Sequence, residues 1–298
     1  MAPIEGLGPT GIWSMQLRAD DADQAGEIRD AAAELDELGF TALWIGGSPS
    51  PAQAAHVLAA TRRAVVGTSI LSIWQHEAAD VAARYAALDT AARERFVLGL
   101  GVSHAKLAAQ YARPYSAMRD YLAALDDAPT PVPADRRVLA ALGPKMLHLA
   151  RDRAAGAIPY LATEQHTAEA RALLGDGPFL APELPVVLDT DLPRARETAR
   201  GHLRPYLGLP NYTANFARLG FTEDDFTGSG SDRLIDTLFA LGDTGRIRAR
   251  VEKYLAAGAD HVAVQVVADG QDLAVLRRQW RELAGALPLE RGAVTPRP

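Results

Sequence analysis

The stretch VLAALGPKMLHLARDRAAGAIPYLA, residues 138–162, decides the fold of this chain. A short apolar run ends at Leu142, and a helical pattern begins directly after the Gly-Pro-Lys that follows it. The next apolar run, AGAIPYLA, begins at Ala155. A strand, a helix and a second strand in this order predict a unit of a parallel sheet that is covered by helices.

The same alternation repeats along the chain. The eight predicted strands are residues 11–17, 41–46, 64–73, 95–102, 137–142, 155–162, 183–190 and 260–268. Their apolar runs are short and continuous, which indicates strands that are buried on both faces. Eight strand–helix units in a chain of 298 residues predict an α/β fold, a (β/α)8 barrel. A doubly wound open sheet has the same alternation and is the alternative.

No shift in composition marks a domain boundary, so residues 1–287 are predicted to form one barrel domain. The segment 208–232 is too long for a simple connection and is predicted as an insertion over the barrel mouth, before the last strand. Residues 288–298 are expected to be a disordered tail.

Composition excludes several classes of function. The formal charge is −6, from 31 basic and 37 acidic residues without a block of like charge, so neither nucleic acid nor a membrane surface is an expected partner. The chain has no cysteine, which excludes disulfides and thiolate chemistry, and no histidine pair has metal spacing. No signal peptide or membrane span is evident, and we expect a cytoplasmic protein.

In a barrel the chemistry lies at the carboxyl ends of the strands, where Gly143 is found. Pro144 suits the first helical position, and a helix N-terminus offers N–H groups and a positive dipole end to a phosphate. Lys145 adds a charge. The same three residues also suit an ordinary strand–helix turn with a solvated lysine, so the tripeptide alone leaves both interpretations open.

The stretch AALGPKMLHLARDRAAGAIPYLAT resembles the bacterial-luciferase-like superfamily, and more closely its branch that uses the deazaflavin coenzyme F420. The stretches AAELDELGFTALWIGGSP, VVGTSILSIWQHEAADVAARYAALD, RFVLGLGVSH and RPYSAMRDYLAALD also resemble this family and occur in its order. The resemblance covers nearly the whole chain, and its specificity comes from many moderate matches in register.

The resemblance implies a (β/α)8 barrel with an insertion, commonly a homodimer, that binds flavin or deazaflavin at the strand ends. The cofactor phosphate is then held at the helix after strand 5, with strand 6 completing the wall. The residues implied on this side are Ala141, Leu142, Gly143, Pro144, Lys145 and Ala157.

The resemblance also implies a second group of cofactor contacts at the ends of strands 2, 3 and 4. A cis peptide bond without proline is expected between Ser69 and Ile70, behind the central ring of the cofactor. The implied contacts are Gly46 on strand 2, Ser69, Ile70 and Ser72 on strand 3, and Val102 and Ser103 on strand 4.

The candidate catalytic residue is His104, which falls where sugar-phosphate dehydrogenases of the family carry a glutamate that donates a proton. A histidine titrates near neutral pH and can donate a proton in this way. An ordinary surface-loop histidine without a catalytic role would fit the same position. The Asp-His pair that those dehydrogenases carry after strand 2 is absent, because the chain has Gly46, Gly47 and Ser48 there. Sugar-phosphate oxidation is therefore disfavoured.

The function expected is an F420-dependent oxidoreductase that transfers a hydride between the deazaflavin and a small organic substrate. An FMN-dependent luciferase-like monooxygenase and a non-catalytic flavin- or deazaflavin-binding barrel are the alternatives. An aldolase would need a lysine on a strand, and the chain has none there.

Overall fold

The computed structural model describes residues 4, 6–19, 22–103 and 112–289. The strands are β1 (Thr10–Ser14), β2 (Ala42–Ile45), β3 (Val65–Thr68), β4 (Leu71–Ser72), β5 (Phe96–Gly101), β6 (Arg137–Leu139), β7 (Gly156–Ala157), β8 (Phe179–Leu180), β9 (Glu183–Val187), β10 (Ala240–Leu241) and β11 (Val262–Val266). The helices are α1 (Ala22–Glu37), α2 (Pro51–Ala60), α3 (Ala78–Ala86), α4 (Thr90–Arg95), α5 (Pro114–Asp126), α6 (Pro144–Arg153), α7 (Glu164–Leu174), α8 (Leu192–Leu207), α9 (Pro210–Arg218), α10 (Glu223–Phe226), α11 (Asp232–Leu238), α12 (Thr244–Ala256) and α13 (Leu273–Ala284).

The sheet is parallel throughout and closes on itself. Its order is β10-β9-β11-β1-β2-β3-β5-β6-β7-β8, with β4 paired to β5. Only Ala181 and Pro182 separate β8 from β9, so one stretch of chain pairs with β7 through its first part and with β11 through its second. This stretch, together with β1, β2, β3–β4, β5, β6, β7 and β11, completes a barrel of eight positions, as the sequence predicts.

Large side chains fill the barrel interior, and glycines next to them leave room for these side chains. A Cβ on Gly67 of β3 would lie 2.4 Å from the ring of Trp44 of β2. Nε1 of Trp44 donates to Nε2 of His261 at 3.1 Å, and Nδ1 of His261 bonds the carbonyl oxygen of Gly8 at 2.6 Å. Since His261 is fully buried and held at both nitrogens, its role is structural.

Part of the segment between β9 and β11 forms a second layer over the strand ends. This layer comprises α8 to α11, whereas α12 packs on the barrel core through Ile247, Val251 and Tyr254. The predicted insertion 208–232 covers α9 and α10 and the first residue of α11. The apolar residues of the layer, with Phe216 and Leu234 fully buried, form a cluster that includes Leu161 and Val267, which follow β7 and β11. This layer therefore places α8 and α9 against the end of the barrel where chemistry is expected.

All eight predicted strands are shorter in the structure, and the sixth, predicted over residues 155–162, is reduced to β7. The first strand ends at Ser14, whose side chain caps a short 3-10 helix, Met15–Leu17. The third is divided into β3 and β4 by a cis peptide bond between Ser69 and Ile70, as the resemblance implies. None of the helices in the described part of the chain is long and apolar enough to span a bilayer.

Candidate functional site

A cavity of about 670 Å³ opens at the carboxyl ends of the strands, between the barrel and helices α8 and α9. Its volume is in the range of small-molecule sites. The structure brings eight of the predicted site residues together in its lining: Ser69, Ile70, Ser72, Val102, Ser103, Ala141, Leu142 and Gly143.

The other predicted residues lie elsewhere. Gly46 does not line the cavity and packs against Trp13 of β1, where a Cβ on Gly46 would lie 2.5 Å from the indole ring. Ala157 is fully buried in β7. Pro144 and Lys145 are exposed on the first turn of α6 and do not line the cavity. His104 lies outside the described residues, so its role stays a prediction.

The wall at the third strand is held by a hydrogen bond to the backbone. Nε1 of Trp13 donates to the carbonyl oxygen of Ser69 at 3.0 Å, next to the cis bond. Gly101 at the end of β5 faces Ile70, and a Cβ there would lie 2.6 Å from the Ile70 side chain. The glycine therefore leaves Ile70 the space to line the cavity.

The end of the second strand supports the same wall. Ser48 has a φ of 59°, and its hydroxyl oxygen accepts the N–H of Ser72 at 2.9 Å. A ring nitrogen of His76 bonds the carbonyl oxygen of Ser48 at 3.1 Å. Ser48 and Ser72 both line the cavity, while His76 supports them from outside its lining.

One end of the cavity suits an anion. Gly143 is the N-cap of α6, and no side chain caps this helix. Nη2 of Arg218, on α9, donates to the carbonyl oxygen of Leu142 at 3.1 Å and to Oδ1 of Asn215 at 2.6 Å. Arg218 has no ion pair with a carboxylate among the described residues. The unpaired guanidinium and the helix N-terminus together give this end a positive potential.

Another part of the lining carries a cluster of hydroxyl groups. The hydroxyl of Tyr160, which follows β7, donates to Oε1 of Gln265 at 2.8 Å. It also lies 3.1 Å from the hydroxyl of Tyr206 and 3.2 Å from Nε2 of His202, both on α8. Tyr160, Tyr206 and Tyr212 line the cavity, and their rings contact one another.

Burial controls the charge of the titratable groups near this cluster. Burial lowers the pKa of His202 to about 4, so the imidazole is neutral at neutral pH. Burial also raises the pKa of Glu183 to about 8, against the smaller opposing effect of the Leu161 N–H that bonds its Oε2 at 3.0 Å. Neither of these two groups lines the cavity. Arg218 is the single formally charged side chain among the described residues that do.

Several lining residues were not predicted. Tyr160 lies within the predicted strand 155–162, and only the observed end of β7 at Ala157 places it after a strand, where function is expected. Trp13 is the penultimate residue of β1, a strand that was predicted to extend to residue 17. Tyr206, Tyr212 and Arg218 come from the layer over the barrel, and no local pattern shows that their helices fold back on the strand ends.

The sequence model that describes luciferase-like monooxygenases matches residues 9–261. The chain belongs to this family. None of the curated proteins matches the chain in sequence.

Several solved structures are similar to this chain in fold, in agreement with its membership in the luciferase-like family. An F420-dependent secondary alcohol dehydrogenase in complex with an F420–acetone adduct is 13% identical, with a TM-score of 0.71 over 96% of this chain and 100% of that one. The coenzyme F420-dependent tetrahydromethanopterin reductase from Methanopyrus kandleri is 16% identical, with a TM-score of 0.68 over 94% and 98%. The oxygenating constituent of 3,6-diketocamphane monooxygenase from Pseudomonas putida, in complex with FMN, is 12% identical, with a TM-score of 0.67 over 94% and 98%.

Proposed function

We propose that this luciferase-like protein is an F420-dependent oxidoreductase that transfers a hydride between the deazaflavin and an organic substrate. The observation that carries the proposal is a single cavity with an apolar wall at the cis bond and a positive end at the start of α6. A cofactor with a flat ring and an anionic tail is complementary to this cavity, because the ring suits the apolar wall and the tail suits the positive end.

The residues present fit such a cofactor. Ile70 and Val102 offer apolar surface on which the ring can lie. The tail would run to Gly143, where the backbone is open because a Cβ would meet nothing nearer than Nη1 of Arg218 at 3.8 Å. When bound, the deazaflavin supplies or accepts the hydride, and the protein's part is to bind, orient and exclude water.

The scarcity of charged groups in the lining supports hydride transfer over hydrolysis or aldol chemistry. Those reactions commonly use a metal, a carboxylate, a reactive lysine or a nucleophile that a histidine activates. The described residues that line the cavity include no carboxylate, lysine or histidine, and no group of metal-binding side chains is present in the described part of the chain.

A flavin monooxygenase that uses FMN is the second candidate. The positive end formed by Arg218 and the start of α6 suits the phosphate of FMN as well as that of F420. Solved structures of both kinds share the fold.

The test is a titration of the purified protein with four ligands: F420, its deazaflavin nucleoside without the phosphate, FMN and riboflavin. Binding can be followed by tryptophan fluorescence because Trp13 lines the cavity. We expect F420 to bind most tightly, and the phosphate-free nucleoside to bind more weakly than F420. Preference for FMN would move the protein to the monooxygenase class, and binding of none of the four would contradict both assignments.

Arg218→Gln tests the positive end. We expect about a tenfold loss of F420 affinity, the usual size of one charge-assisted hydrogen bond, with a loss that becomes smaller as salt is raised. Affinity for the phosphate-free nucleoside should change little. Arg84→Gln, which removes an exposed arginine paired with Asp80 on α3, is the matched control and should bind as the wild type does. Equal F420 affinity in the two variants would remove Arg218 from the site.

A further inference from the structure

The hydroxyl of Tyr160 is the centre of a branched hydrogen-bond network beside the cavity. Its three partners are Oε1 of Gln265 at 2.8 Å, the hydroxyl of Tyr206 at 3.1 Å and Nε2 of His202 at 3.2 Å. A phenol has one proton to donate and accepts through its oxygen, so Tyr160 is fully occupied by these partners. The hydroxyl of Tyr206 has only the bond to Tyr160 among the described residues, and it retains hydrogen-bonding capacity for a ligand.

Aromatic contacts place this network beside the wall that we assign to the cofactor ring. The rings of Tyr160 and Trp13 lie 5.4 Å apart, and Trp13 bonds the carbonyl oxygen of Ser69 at the cis bond. The ring of Tyr206 lies 5.5 Å from that of Tyr160 and stands perpendicular to that of Tyr212 at 5.3 Å. These contacts fix the orientation of the Tyr206 ring in the lining.

The network can reverse its direction without gaining a charge. His202 is a neutral imidazole at neutral pH and carries its proton on either ring nitrogen. If Gln265 turns its NH2 towards Tyr160, protons can point from His202 through Tyr160 to Tyr206, and Tyr206 donates to a carbonyl oxygen. In the reverse direction an alcohol donates to Tyr206, Tyr206 to Tyr160 and Tyr160 to His202.

The groups that face the network keep its hydroxyls neutral. Burial and the nearby Glu183 raise the pKa of Tyr160, and the same two effects raise the pKa of Tyr206 against the opposing effect of the Tyr160 hydrogen bond. Gln265 is uncharged and buried. Tyr206 is therefore a neutral hydrogen-bond donor at neutral pH.

We infer that Tyr206 exchanges a proton with the oxygen of a carbonyl or alcohol substrate, and that Tyr160 and His202 connect it to solvent. The inference rests on the proposed function for its hydride. In the reductive direction the carbonyl carbon gains a hydride from the reduced deazaflavin, and the π electrons become a lone pair on oxygen. That oxygen takes the proton of Tyr206, which regains one from Tyr160. Nε2 of His202 replaces the proton of Tyr160 while Nδ1 takes one from solvent, so no side chain ends with a changed charge.

The first test needs no cofactor and so is independent of the coenzyme assignment. Acetophenone is bound to the cofactor-free protein, and its carbonyl stretch is measured by infrared spectroscopy. We expect a stretch at lower wavenumber in the wild type, because a hydrogen bond weakens the C=O bond, and a return towards the value in apolar solvent in Tyr206→Phe. Tyr121→Phe removes a hydroxyl that bonds the carbonyl oxygen of His76 outside the cavity lining, and should give the wild-type spectrum. The same stretch in wild type and Tyr206→Phe, or no bound acetophenone, overturns the inference.

The second test separates proton transfer from binding. For a carbonyl compound that the wild type reduces with reduced F420, Tyr206→Phe should lower kcat about 100-fold, the usual contribution of a general acid. The F420 affinity should be unchanged, and Tyr160→Phe should retain the shifted stretch while also lowering kcat. An unchanged kcat in Tyr206→Phe excludes its role as proton donor even if F420 binds as proposed.

Discussion

Replacing Gly143 by aspartate should lower the affinity for F420 about 100-fold without destabilising the fold. The new carboxylate would stand at the N-terminus of α6 beside Arg218, in the position proposed for the phosphate. Repulsion between the two anions and neutralisation of the guanidinium both weaken binding, and about 2–3 kcal/mol corresponds to this loss.

The geometry separates charge from bulk at this position. An aspartate at this position could block the cofactor by its bulk or by its charge. However, Gly143 has φ −103° and ψ 157°, which other residues adopt freely, and a Cβ there would make only an ordinary contact with Arg218 at 3.8 Å. Aspartate and asparagine are good N-caps, so either replacement should hold or raise the stability of α6.

The controls for Gly143→Asp are therefore Gly143→Asn and Gly143→Ala. Asparagine has nearly the shape of aspartate without its charge, and alanine adds the Cβ alone. We expect both to bind F420 within a few-fold of the wild type, measured by the same fluorescence titration, with thermal unfolding as the check on the fold. If aspartate binds F420 as asparagine does, the phosphate does not lie at Gly143.

The barrel could be predicted from the sequence because its information is local. The strands are short apolar runs such as Phe96–Gly101, which is fully buried, and a helix follows each strand except β3 and β8. Interruptions were not predictable from apolar pattern alone. The third strand breaks at a cis bond, which only the family resemblance indicated. The seventh is preceded by β8, which was not predicted and is separated from it by Ala181 and Pro182.

Part of the cavity lining could be predicted on the barrel side, although Gly46, Pro144, Lys145 and Ala157 do not line it. The lining from the covering layer could not be predicted. Ser69, Val102 and Leu142 lie at strand ends, where topology brings distant residues to one rim. Tyr206 and Arg218 reach the same cavity because α8 and α9 pack through buried residues such as Phe216 onto the rim. That packing depends on long-range contacts, which no spacing within the segment reveals.

Glu183 should make the stability of the protein fall as the pH rises. Its side chain is 3% exposed, one carboxyl oxygen accepts the N–H of Leu161, and the other has no hydrogen-bond partner among the described residues. Burial disfavours the charged form, which is why the pKa rises from an ordinary value of 4.5 to about 8.

The sign of the pH dependence follows from proton binding. Between about pH 4.5 and 8 the folded chain holds the Glu183 proton and the unfolded chain releases it. Stability from this group is fully present below pH 4.5 and is lost as the pH rises through 8. The loss is on the order of 5 kcal/mol.

Glu183→Gln removes this titration and keeps an oxygen for the Leu161 N–H. In denaturant unfolding at a series of pH values, the variant should gain stability relative to the wild type from pH 5 to pH 8, by several kcal/mol at the upper end. Glu94→Gln, at an exposed position on α4, is the matched control and should show no such trend. A constant difference between Glu183→Gln and the wild type across this range would mean that Glu183 is ionised in the folded protein. In that case a buried negative charge would lie near the tyrosines of the cavity, and the proposed anionic cofactor would meet repulsion rather than a neutral wall.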